Sequence, residues 1–179
     1  MLMPPRVRRF VLAAHITTTV GWLGAVAAFI ALSVIGLTSQ DTQTVRAVYL
    51  VMEPAAWYVL VPLAFAALLS GLVQSLGTRW GLFRHYWVLF KLLIVVVATS
   101  YLLMYTQTFG AMAGLAANPE AELGVVRNTS PFLHAVLALL ILLTAVALSV
   151  YKPRGLTPYG RRKQAEAQTA TRRRRQPSG

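Results

Sequence analysis

A chain of 179 residues, 56% hydrophobic and only 12% charged, has the length of one domain but not the composition of a soluble one. It contains no cysteine, which excludes disulfides, a thiolate nucleophile and any zinc or iron–sulfur centre held by sulfur. The net charge of +12 invites a nucleic-acid reading, yet residues 10–40, 54–78, 92–119 and 128–151 carry no Asp, Glu, Lys or Arg. With no aromatic interleaving and no recognisable nucleic-acid module, RNA or DNA is not the expected partner.

Each uncharged window exceeds the ~20 residues that a helix needs to cross a hydrocarbon core about 30 Å thick. The expected fold is therefore all-α: a four-transmembrane-helix bundle over residues 1–155, followed by a basic tail over 156–179. Arg6, Arg8 and Arg9 open the chain, and the first helix is expected at about 10–37. Ala25-Val26-Ala27 imitates a signal-peptide cleavage site, and Arg8-Arg9 imitates a twin-arginine signal, but the apolar run continues through Leu37, so an uncleaved helix is expected. Thr38 to Asp41 supply turn and capping residues. Val45, Val48, Tyr49 and Met52 then fall at helical spacing, the pattern of a short amphipathic helix lying on the outer surface. Glu53-Pro54 predicts a bend before helix two at about 55–76, which Pro62 should kink. A short loop carrying Arg79 and Arg84 leads to helix three at about 86–109, with Trp80, Tyr86 and Trp87 as an interfacial aromatic belt. An outer loop over 110–130 contains the turn Asn118-Pro119, and helix four follows at about 131–151. Lys152-Pro153-Arg154-Gly155 stops it, and the polar, basic tail is expected to be largely disordered.

The basic residues set the expected topology. Lys and Arg collect before helix one, between helices two and three, and after helix four. The other two connections hold only Arg46 and Arg127, together with four of the five acids. Cytoplasmic loops collect Lys and Arg, so both termini are expected in the cytoplasm of a bacterial plasma-membrane protein. The smooth strip Gly21, Gly24, Ala25, Ala28 on helix one suits close helix packing, while Gly110 and Gly114 have GxxxG spacing at a helix end.

Ionisable groups inside a membrane are costly, so His15, Lys91 and His134 are the candidates for chemistry. His15 lies six residues past Arg9, ~9 Å into the inner leaflet at 1.5 Å per residue. Lys91, four residues past Trp87, reaches a comparable depth, so the two could touch. Their structural alternatives are a hydrogen-bonded core histidine and a snorkelling lysine. His134 enters from the outer side and is separated from His15 by roughly half the bilayer, which disfavours a haem b ligated by that pair. Met52, Met104, Met112 and His134 all map to the outer third and have the thioether and imidazole donors of a copper(I) site; the alternative for the methionines is gap-filling. Arg161, Arg162, Lys163 and Arg172, Arg173, Arg174, Arg175 would be drawn to anionic phospholipids at about 1 kcal/mol per basic residue.

At Gly21 to Val26, Trp80 to Leu92 and Leu148 to Thr157 the chain resembles a bacterial four-helix integral membrane family with no assigned function. More distantly, His15, Trp22 and Gly24 with Trp87 and Lys91 are similar to elements of the copper-resistance D and haem-binding protoporphyrinogen oxidase membrane families. That likeness implies a haem held through His15 and Lys91. The preferred expectation is a non-enzymatic accessory or assembly bundle acting through lipid, a homo-oligomer or a membrane-complex partner. A haem- or copper-binding redox protein is the alternative, and a small transporter, disfavoured by the few polar groups at mid-membrane, is the third.

Overall fold

The computed structural model describes residues 3–77, 81–153 and 155–175, with side chains described as far as residue 169. The expectations placed on Arg79, Trp80 and Arg154, and on the side chains of Arg172 to Arg175, lie outside what is described. The described chain is all helical: α1 (Pro5–Thr38), α2 (Thr42–Ala55), a π turn (Ala56–Leu60), α3 (Val61–Gly77), α4 (Tyr86–Ala117), α5 (Leu123–Val126), α6 (Ser130–Tyr151) and α7 (Pro158–Arg175). Four stretches are long and apolar enough to cross a membrane: Pro5–Thr38, Thr42–Gly77, Tyr86–Ala117 and Leu123–Tyr151. The Met3 N–H donates to the Gly77 carbonyl and the Tyr86 N–H to the Gly155 carbonyl, so the start of α1, the end of α3, the start of α4 and the segment after α6 lie at one end of the bundle, here the terminal end. The other two connections form the loop end.

α1 and α4 are longer than one crossing requires. At 1.5 Å per residue the 34 residues of α1 extend ~51 Å, well beyond a hydrocarbon core of about 30 Å. The surplus forms a packed cap at the loop end. The largest fully buried side chains are Tyr49, Met52, Val45, Val126 and Ser33, all from this region. Gly36 makes the packing feasible, because a Cβ there would stand 3.2 Å from Val48 and 3.3 Å from the Tyr49 ring.

Some local expectations are corrected. Pro54 does not bend the chain away. It lies inside α2, and the register shift is absorbed by the π turn, whose closing bond runs from the Val61 N–H to the Ala56 carbonyl. The expected short amphipathic helix forms as α2, and its stripe Val45, Val48, Tyr49, Met52 is buried against the other helices, where Met112 and Ala116 of α4 complete its apolar cover. Residues 110–117, expected as loop, continue α4 through the helix-favouring run Gly110 to Ala117. Over the described residues Pro158–Arg175 the tail forms α7. Thr157 stands before the first turn and its Oγ1 accepts from the Gly160 N–H at 3.0 Å, with Pro158 at the first helical position.

α2 is capped in the same manner. The Asp41 carboxylate accepts from the Thr44 hydroxyl at 2.6 Å and the Thr44 N–H at 2.9 Å, and these bonds hold its pKa below the usual carboxylate value. α1 packs closely on α3, with Gly21 under Leu63, where a Cβ would come within 3.2 Å. Gly24 and Gly114 face open space, whereas Gly110 lies against Glu53.

Candidate functional site

His15 and Lys91 come together. Lys91 Nζ is 3.2 Å from His15 Nε2, and His15 Nδ1 is 3.0 Å from Ser70 Oγ, so α1, α3 and α4 meet in one polar chain. The direction of that chain follows from its last link. Ser70 donates its hydroxyl proton to the Ala66 carbonyl at 2.6 Å, which leaves the oxygen to accept from Nδ1–H. Nε2 then presents a lone pair, and the Lys91 ammonium donates to it. Thr19 and Thr18 return their hydroxyls to the His15 carbonyl at 2.7 and 3.1 Å, as backbone-bonded side chains in apolar surroundings must. Gly71 is the seat of the ring: a Cβ there would lie 3.0 Å from His15 Cε1.

Sequence reasoning found His15 and Lys91 but not Ser70 or Gly71. The available signal was a Ser-Gly pair inside an otherwise apolar run. Both ring nitrogens of His15 are engaged by protein, so an iron at Nε2 would have to displace Lys91.

Near the loop end a second cluster forms around His134. Its Nδ1 lies 2.7 Å from the Ser130 carbonyl and 3.1 Å from Ser130 Oγ, which in turn is 2.7 Å from the Tyr105 hydroxyl. A carbonyl can only accept, so Nδ1 carries the proton and Nε2 is the lone-pair edge of the ring. Tyr101 stacks on the imidazole at 5.6 Å and Tyr105 tilts onto it at 4.5 Å. The cluster borders a cavity of about 490 Å³ between α1, α4 and α6, walled by Trp22, Phe29, Val97, Ala138 and Leu142.

The methionines expected beside His134 are dispersed in character. Met52 and Met112 are buried in the apolar core, and Met104 turns outward with 71% of its surface exposed. Among the described residues no three His, Cys, Asp or Glu side chains gather as a metal-binding group.

The two arginines of the loop end are occupied in capping helices. Arg46 donates to the carbonyls of Ala116 at 3.1 Å, Asn118 at 2.5 Å, Pro119 at 3.2 Å and Ala121 at 2.6 Å, covering the C-terminus of α4. Arg127 does the same for α1 through Leu37 at 2.8 Å and Ser39 at 2.6 Å. A cation at a helix C-terminus meets both the orphan carbonyls and the negative end of the dipole. Tyr49 completes the cap, accepting from the Asn128 N–H at 2.9 Å and donating to its carbonyl at 3.2 Å.

At the terminal end the chain after α6 folds back on the start of α4. The Tyr86 N–H donates to the Gly155 carbonyl at 3.2 Å, the Thr157 N–H to the Arg84 carbonyl at 3.0 Å and the Thr157 hydroxyl to the Phe83 carbonyl at 2.5 Å. This junction and α7 enclose a cleft of about 1030 Å³ bordered by Arg84, His85, Trp87, Lys152, Arg161 and Lys163. Lys163 is also bonded to Glu166 at 2.9 Å, and that carboxylate raises its pKa. Arg161 and Lys163, expected on sequence grounds to meet lipid, therefore share a concave surface with residues of the preceding connections.

Comparison with protein-family models, with curated proteins and with solved structures found no match in any of the three.

Proposed function

We propose that this chain is a non-enzymatic, multi-pass protein of the bacterial plasma membrane, with both termini cytoplasmic, that works through anionic phospholipids gathered at its terminal end, as an accessory or assembly subunit of a membrane complex. The observation that carries this reading is the cleft in which Arg84, Lys152, Arg161 and Lys163 converge beside Trp87. Basic pockets at the ends of membrane helices suit phosphate headgroups, and an aromatic wall suits the glycerol–acyl boundary. The contrast with the opposite end supports it. Arg46 and Arg127 are the basic residues of the two loop-end connections, whereas Arg84, Lys152, Arg161 and Lys163 converge in a concave surface at the terminal end, the charge asymmetry of a cytoplasmic face.

The test is lipid retention. Native mass spectrometry after purification from mixed vesicles should show phosphatidylglycerol retained in preference to phosphatidylcholine. Replacing Arg161→Gln and Lys163→Gln together should weaken that retention about 30-fold, from ~1 kcal/mol per basic residue. Equal retention of zwitterionic lipid, or no loss in the double variant, refutes the proposal.

A further inference from the structure

The geometry around His134 points to a second site, independent of the cytoplasmic cleft: we propose that the cavity between α1, α4 and α6 binds a lipophilic hydroquinone or phenol, whose ring hydroxyl donates to His134 Nε2. Three observations converge on that class of ligand.

The first is the fixed tautomer. The Ser130 carbonyl at 2.7 Å holds the proton on Nδ1, and the Tyr105 hydroxyl secures Ser130, so the imidazole is oriented before any ligand arrives. No protein hydrogen bond reaches Nε2 among the described residues. A polar lone pair left at an apolar cavity seeks a donor, and the hydroxyl of a ring-headed lipid supplies one.

The second is the shape and lining of the space. About 490 Å³ lies within the usual range for small-ligand sites, and aromatic side chains bound it on several sides: Trp22 and Phe29 from α1, Tyr101 and Tyr105 from α4. Planar heads stack on such walls. No Lys or Arg lines the cavity, so a ligand carrying carboxylates, a haem among them, would bring charges with no partner. A neutral ring with one or two hydroxyls asks for nothing the site lacks.

The third is access. Val97 of α4 and Leu137 of α6 both line the cavity and are more than half exposed on the outer surface of the bundle. The space therefore opens sideways between α4 and α6, toward the hydrocarbon in which such a ligand dissolves and along which its alkyl tail can leave the site.

Trp22 walls the cavity and reports on it. In a protein whose other tryptophans are replaced, Trp57→Phe, Trp80→Phe and Trp87→Phe, a hydroquinone bearing a ten-carbon tail should quench the remaining emission saturably in detergent or nanodiscs. Its dimethyl ether, which cannot donate, should bind about tenfold more weakly, the loss of one hydrogen bond. His134→Leu should weaken the hydroquinone to the level of the ether, and Ala138→Phe, which fills the cavity while keeping the imidazole, should abolish quenching by both. Size-exclusion profiles and ligand-free emission establish that each variant is folded, and Ala138→Phe decides the matter should His134→Leu fail that check.

Equal binding of hydroquinone and ether in the wild-type chain would reduce the site to an apolar groove for alkyl chains and overturn the proposal. So would unchanged affinity in Ala138→Phe, or a Soret band in protein purified from haem-replete cells that His134→Leu removes.

Discussion

Arg46 is the side chain whose removal tests the physical account of the loop end most directly. It donates four hydrogen bonds to carbonyls of residues 116–121, a segment that ends α4 and turns toward α5. Two of those bonds, to Asn118 and Pro119, are exposed, and water replaces them at little cost. The two to Ala116 and Ala121 are partly buried. A hydrogen bond to a charged group contributes ~1.5–3 kcal/mol, so Arg46→Ala should cost about 3 kcal/mol once the exposed pair is discounted. Arg46→Lys keeps a cation near the helix C-terminus, worth ~0.3–1 kcal/mol, but loses the planar fork, and should recover no more than a third of the loss. Reversible unfolding in mixed micelles, followed by SDS titration of helicity, gives the three free energies on one scale. A deficit below about 0.5 kcal/mol for Arg46→Ala, or full rescue by Lys, would mean that the carbonyls are satisfied without the guanidinium and would sink the capping argument.

Three further outcomes follow from contacts elsewhere. Tyr49→Phe leaves the Asn128 N–H and carbonyl without their partner beside a fully buried ring, and should cost ~1–3 kcal/mol in the same titration; an unchanged midpoint refutes it. Gly160→Ala would drive a methyl into the Arg84 carbonyl oxygen, so the junction of 84–86 with 155–157 must open; the Thr157 amide should exchange its hydrogen faster, and unaltered protection would contradict the packing. A double-mutant cycle with His15→Phe and Lys91→Leu should give a coupling of ~0.5–3 kcal/mol, whereas additivity would show that the 3.2 Å contact contributes nothing to the bundle.

The four crossings were legible because hydrocarbon tolerates so few charges that their absence marks a span more clearly than any periodicity does. The same signal misjudged where helices end. A membrane helix need not stop at the interface, and residues 110–117 and α2 continue outward because each supplies the apolar surface the other covers. Depth reckoning from Arg9 and Trp87 was enough to suggest that His15 and Lys91 could meet. It could not find Ser70 or Gly71, because a helix that is apolar on all sides does not disclose which face turns toward a neighbour. α7 went unread for another reason. Its strongly basic composition outweighed Thr157-Pro158, the capping pair that starts α7. The bond within α6 was equally hidden: Ser130 and His134 stand one turn apart, a spacing that does not say which ring nitrogen turns back to the backbone.

In a membrane, apolar surface alone gives helices little reason to associate, since lipid tails are as apolar as leucine. The bundle therefore depends on its polar joints. α4 and α6 are tied twice, by Tyr105 to Ser130 near the loop end and by the bonds of residues 83–86 to 155–157 at the terminal end. Both ties are directional and fix the pair near its two ends. α1 is meanwhile drawn toward α3 by the seat of the His15 ring on Gly71 and by Gly21 under Leu63. The space between α1, α4 and α6 lies apart from those joints, and filling it from within, as Ala138→Phe would, should leave them intact.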